Sequence, residues 1–147
     1  MRNDRKEMGD DYWGGILSQI VIELPLGAEA LQGIEDFSHA EVIFYFDQVD
    51  EGRIVTGARH PRNNPDWPKV GILAQRGKNR PNRLGLTTVK IIKREENILS
   101  VSGLGAVDGT PVLDLKPVMR EFLPDGPVRQ PAWVRELMAH YWNEEES

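Results

Sequence analysis

The chain contains no cysteine. That one absence excludes a disulfide framework, a thiolate metal site and a cysteine nucleophile. Histidine is scarce: His39, His60 and His140 are scattered, and no metal-ligating spacing such as His-Glu-x-x-His occurs, so no metal is expected. No apolar run approaches the roughly 18–20 residues that a membrane-spanning helix needs. The first eleven residues are charged with both signs and have no apolar centre, unlike a secretory signal. A cytoplasmic location away from membranes is the default expectation. Internal repeats and low-complexity tracts are also missing.

What is present is an ordinary globular composition of 147 residues, 39% hydrophobic and 28% charged, enough for one domain. The net charge of −5 speaks against indiscriminate nucleic-acid binding, but the charge is unevenly spread. Residues 51–94 carry 11 Lys/Arg and two acids, whereas the remainder carries seven Lys/Arg and 21 acids. The basic stretch is either a solvated surface or a local field that steers a phosphate-bearing ligand.

Gly15 to Leu24 is rich in β-branched residues and reads as a strand stopped by Pro25. Gly27 to Gln32 suits a single helical turn. His39 to Asp47 is a second strand, with Val42, Phe44 and Phe46 on one face and Glu41, Ile43, Tyr45 and Asp47 on the other. Gly57 to Pro68 is an irregular loop, and Val70 to Gln75 is expected to be a third strand. Leu84 to Arg94 is the longest β-like run, followed by a turn at Glu95–Asn97 and a strand from Ile98 to Ser102. Pro111 to Leu115 is a further short strand. Val134, Leu137, Met138 and Tyr141 lie at helical spacing after Pro131.

Short strands joined by Gly/Pro turns, without alternating helices, predict a mainly β domain: a small antiparallel or mixed β-barrel with a C-terminal α-helix. Residues 1–147 form a single domain in this reading, with 1–12 a flexible N-terminal segment and 131–142 the helix.

Two loops hold most of the chemical information. Arg76 to Arg83 places four cations in eight residues between two β-like runs, with Pro81 and then Gly85 shaping the backbone. Arginine forks suit carboxylate or phosphate oxygens, although a charged hairpin that serves solubility has the same composition. Leu104 to Pro117 contains an Asp-Gly turn and a Thr-Pro restart. Asp114 and Lys116 there form either a strand-surface ion pair or part of a concave wall. Gly103-x-Gly105 is not followed by the glycine and helix of a dinucleotide fingerprint.

Together these segments resemble the TsaA-like (TrmO) family of tRNA methyltransferases. Phe37-Ser38-His39 ahead of the aromatic strand, Arg76 through Arg80-Pro81-Asn82 to Leu84-Gly85-Leu86, and Asp108 to Pro117 match three of its elements in order and spacing. The resemblance implies a small β-barrel that binds S-adenosylmethionine, commonly as a homodimer with the site at or near the interface. It implies methyl transfer to the exocyclic nitrogen of threonylcarbamoyladenosine beside the tRNA anticodon, with tRNA as partner. Carried over by position, Arg76, Leu86, Asp108, Gly109, Thr110 and Pro111 contact the cofactor, with Asp47 and Gln48 near its methionine or adenosine end. Arg80 and Asn82 are the candidates for the substrate's carboxylate or a phosphate. Asp114, His39 and Asp108 are the motif residues able to accept a proton.

The family's Ser-Pro-aromatic and Pro-Arg-Gln elements near the N-terminus have no counterpart here. That part of the cofactor site is either rebuilt from Tyr12 and Trp13 or partly lost. Three activities stay open: methyl transfer to tRNA, methyl transfer to another nucleoside or small metabolite, and cofactor binding without turnover.

Overall fold

The computed structural model describes residues 1–6 and 9–143. Its frame is one five-stranded antiparallel sheet in the order β1-β6-β5-β2-β7, built from β1 (Leu17–Val21), β2 (His39–Tyr45), β5 (Leu84–Glu95), β6 (Ile98–Ser102) and β7 (Val112–Pro117). A two-stranded ribbon of β3 (Ala58–Arg59) and β4 (Val70–Gly71) stands beside it, and α1 (Ala132–Leu137) lies near the C-terminal end.

The two-residue alternation in β2 has the expected physical result. Ala40, Val42 and Phe44 are buried, while Glu41, Ile43 and Tyr45 are only partly covered on the other face. Val89 of β5, Leu99 and Val101 of β6, and Ile20 of β1 meet the buried side, and Leu31, Ile34, Leu104 and Ala106 close over them. Each fully buried aliphatic side chain of this kind contributes about 1.5–3 kcal/mol. Gly85 faces Phe44 across the β2–β5 ladder, and a Cβ added there would come within 2.5 Å of the ring. Glycine is what lets the ring lie flat on the strand.

Two bulges interrupt the regular pleat. The register shifts between Ile43 and Phe44 opposite β7, and between Ile91 and Lys93 opposite β6. Each leaves an extra residue, Leu113 and Ile92 respectively, turned outward and exposed.

The expected barrel is not closed: β1 and β7 are the sheet's two edges. Residues 1–3 line the β1 edge and contact the 106–110 loop that leads towards β7. Arg2 forms an antiparallel bridge with Gln19, Met1 accepts a hydrogen bond from the Gly109 amide at 3.1 Å, and the Asn3 side chain donates to Ser18 Oγ and to the Ala106 carbonyl. The N-terminal segment expected to be flexible is, in its described residues up to Lys6, docked against the sheet.

Two further expectations change. The strand predicted for Val70 to Gln75 is only Val70–Gly71, because residues 72–74 wind into a 3-10 turn that buries Ile72. The helix expected over 131–142 ends at Leu137. Beyond it, the His140 and Tyr141 carbonyls accept hydrogen bonds from the Tyr12 and Trp13 amides, and these contacts draw the chain out of helical geometry.

Candidate functional site

At the end of the sheet where β2 runs out and β5 begins, five stretches of sequence converge on one open hollow. Phe46, Asp47 and Gln48 follow β2 into it, and Arg76, Gly77 and Lys78 enter from the basic turn. Gly105, Ala106, Val107 and Thr110 supply the opposite wall, and Gly9, Asp10, Trp13 and Tyr141 complete the rim.

The basic turn is held from behind. Arg80 donates to the Gln75 carbonyl, and the Gln75 side chain donates through Nε2 to the Arg59 and Val70 carbonyls at 3.1 and 3.0 Å. Asn82 Oδ1 accepts the Leu84 amide at 3.0 Å, and Arg83 takes a left-handed conformation with φ of 52°. The turn therefore needs Arg80 and Asn82 for its own shape, and neither lines the hollow. Arg76 does. Its guanidinium is pinned on one side, donating to the Leu86 carbonyl at 2.5 Å. Leu86 itself supports Arg76 through this backbone contact and is not part of the hollow's lining.

The Asp108–Pro111 turn divides in a similar way. Thr110 is buried, lines the hollow and donates its hydroxyl to the Val107 carbonyl at 2.7 Å. Gly109 adopts φ of 85° and directs its amide to Met1, and the Pro111 carbonyl accepts the Tyr45 amide at 3.0 Å. The Asp108 carboxylate accepts the Asn3 amide at 3.0 Å and pairs with Lys6 at 3.3 Å. Those partners, the Asn3 amide first, hold its pKa below the usual carboxylate range. Asp108 anchors the N-terminal segment, and its carboxylate is not part of the hollow's lining.

Of the proposed proton acceptors, His39 sits at the start of β2, seven residues before Phe46 and so roughly 20 Å along the strand from the hollow. It is exposed, with Nδ1 2.6 Å from Ser38 Oγ. Asp114 is exposed on β7 beside Lys116, 3.9 Å away, as a strand-surface ion pair. Neither lines the hollow.

Several lining residues carried no motif signal. Trp13 is 4% exposed and stacks beneath the Arg5 guanidinium, 3.5 Å from the ring centroid. Of the two aromatics weighed for rebuilding the N-terminal part of the site, Trp13 reaches the hollow and Tyr12 does not. Asp10 and Tyr141 were not foreseen, because chain folding alone brings positions 10 and 141 together.

The basic stretch is also less open than its composition suggests. Arg62 forms a two-point pair with Asp11 at 2.9 and 3.1 Å, Lys78 approaches Asp10 at 3.9 Å, and Arg83 approaches Glu51 at 3.5 Å. Acids of the N-terminal segment thus neutralise part of the field around the turn.

Comparison with known proteins agrees with this architecture. Residues 12–122 match the tRNA-methyltransferase O N-terminal domain. A "Probable S-adenosyl-L-methionine-binding protein" of Pyrococcus abyssi is 36% identical over 99 residues, covering 67% of this chain and 50% of the relative. The tRNA (adenine(37)-N6)-methyltransferase of Escherichia coli is 38% identical over 104 residues, covering 67% of this chain and 44% of the relative. A crystal structure of TrmO from Pseudomonas aeruginosa superposes with a TM-score of 0.68 at 26% identity, over 87% of this chain and 56% of the other. The chain spans about half the length of these relatives or less. With three quarters of its residues inside the matched region, the chain belongs to the family of tRNA-methyltransferase O N-terminal domains.

Proposed function

We propose that this chain is an S-adenosylmethionine-dependent methyltransferase that acts on tRNA, with the exocyclic nitrogen of threonylcarbamoyladenosine next to the anticodon as acceptor. The observation that carries the reading is the convergence of the basic turn, the end of β2 and the 105–110 loop on one hollow. Its residues fit the cofactor's parts. Phe46 and Tyr141 offer apolar faces to a flat base, Arg76 offers a donor to a carboxylate, and the Asp10 and Asp47 carboxylates suit cationic groups. When bound, the cofactor supplies a methyl group already attached to a good leaving group.

The protein's task is then positional. Residues fixed by backbone contacts, Thr110 through Val107 and Arg76 through Leu86, hold the site's shape before ligand arrives. Alignment of this kind supplies roughly 7–11 kcal/mol of barrier lowering. Asp47 is the carboxylate at the end of β2 that lines the hollow, and it replaces Asp114, His39 and Asp108, none of which lines it, as the proton acceptor in this proposal.

Homodimerisation in the cytoplasm is part of the proposal. Leu84, Leu86 and Leu113 are exposed on the sheet, and Phe122 (80% exposed) and Val128 (74%) stand on an arm between β7 and α1. Exposed apolar side chains of this size are what a second copy of the chain would cover in the proposed dimer.

Incubating the protein with tRNA that carries unmethylated threonylcarbamoyladenosine and with labelled S-adenosylmethionine, then digesting to nucleosides, tests the reading. Methylated threonylcarbamoyladenosine is the expected product. One observation favours a smaller acceptor: ion pairs with Asp10, Asp11 and Glu51 engage cations that would otherwise face a phosphate backbone. Label transfer to free nucleosides but not to tRNA would establish that second reading.

A further inference from the structure

The last described turn of the chain is seated in a groove made by three glycines. A Cβ on Gly14 would lie 2.0 Å from the Trp142 carbonyl oxygen, one on Gly103 would lie 3.3 Å from the Trp142 ring, and one on Gly105 would lie 2.5 Å from Tyr141 Oη. The Trp13 amide donates to the Tyr141 carbonyl at 2.6 Å, and the Tyr141 and Trp142 rings pack edge to face with centroids 4.6 Å apart. Side chains at any of these glycines would meet tail atoms directly, so the segment is fitted to its place. It lies outside the region shared with the family, which ends at residue 122.

This seating carries the Tyr141 ring into the hollow, on the side of Gly105 and within the field of Arg76. Its hydroxyl makes no hydrogen bond among the described residues. Burial pushes the phenol above its ordinary value, against the opposing pull of Arg76, Arg5 and Arg62. The group therefore keeps its proton at neutral pH and is available only as a neutral donor or acceptor.

We propose that the C-terminal segment forms a wall of the ligand site and that the Tyr141 hydroxyl is a binding residue, hydrogen-bonded to the cofactor. This rests on the cofactor reading above and adds to it a contact made by this chain's own tail. It also means that ligand affinity depends on the tail's being seated, because the wall exists only in that state.

Two measurements test it together. The first is calorimetric titration of S-adenosylhomocysteine into the wild type and Tyr141→Phe. Loss of one neutral hydrogen bond weakens binding roughly three- to tenfold, with the melting temperature unchanged. The second needs no ligand: melting temperatures of Gly105→Ala, Tyr141→Phe and the double variant. Gly105→Ala should lower the melting temperature when the tyrosine hydroxyl is present and do so much less when phenylalanine replaces it. A wild type that binds while Tyr141→Phe binds equally well overturns this inference alone, as does strict additivity of the two substitutions. A wild type that does not bind overturns the cofactor reading and this inference with it.

Discussion

The two ends of the sheet are built by different rules. At the far end, β5 and β6 join through a tight turn at Glu96 and Asn97, and Glu35 grips Arg94 at 2.8 and 3.1 Å. Lys93 pairs with Glu95 at 2.8 Å, and Asn97 exchanges hydrogen bonds with Ile22, so short-range chain geometry and close pairs hold that end together. At the near end, residues 9–13, 46–48, 76–78, 105–110 and 141 meet around open space. Their polar groups are tied from behind and leave one side directed at the hollow. Arg76 is held on one side by the Leu86 carbonyl, and among the described residues the Tyr141 hydroxyl makes no hydrogen bond. The contrast separates parts that keep the sheet folded from parts that line the hollow.

The strongest way to break this contrast is Arg76→Ala. A charged hydrogen bond to ligand is worth about 1.5–3 kcal/mol, so cofactor affinity should fall by about ten- to a hundredfold. Stability should move by less than about 0.5 kcal/mol, because the side chain is exposed. Unchanged affinity in calorimetry would remove the hollow as the cofactor site.

Gly85→Ala comes next and separates frame from site. The new methyl would meet the Phe44 ring at 2.5 Å, and overpacking of this kind costs about 1–3 kcal/mol in urea denaturation. Because Phe44 lies two residues before Phe46, whose ring it meets edge to face at 5.1 Å, affinity should fall as well. A variant as stable as the wild type would show that the ring has room to move.

These two residues also show what could be read from sequence. Alternation in residues 39–47, the long β run and its hairpin follow from patterns of two and from turn chemistry, and the structure agrees with them. Motif spacing placed Arg76, Thr110, Asp47 and Gln48, and all four line one hollow. It also selected Arg80, Asn82 and Asp108, whose partners are Gln75, Leu84 and Asn3. A motif records every residue that a loop needs, and it does not distinguish those that shape the loop from those that face a ligand. That the sheet stays open was not readable either, because nothing in residues 1–3 signals that they lie along β1 and against the 106–110 loop. Trp13 and Tyr141 illustrate the same limit: they are 128 positions apart and are joined by one backbone hydrogen bond.

Glu35→Gln gives the smallest expected effect and sharpens the contrast from the far end. The Arg94 hydrogen bonds, supported by backbone donors, lower the Glu35 pKa from an ordinary 4.5 to about 2. A group whose folded pKa is depressed adds stability above its unfolded pKa and loses it as pH falls through the folded one. The contribution is therefore full above about pH 4.5 and fades between there and about pH 2. The pair is exposed and screened by solvent, so the difference in melting temperature between wild type and Glu35→Gln should be small at pH 6. It should vanish below about pH 2, where Glu35 is protonated in the folded protein as well. Cofactor affinity should be the same in both proteins at neutral pH, since nothing links this pair to the hollow except the sheet between them. A loss of affinity comparable to that of Arg76→Ala would mean that the two ends are mechanically coupled, and the division between frame and site would have to be redrawn along β5.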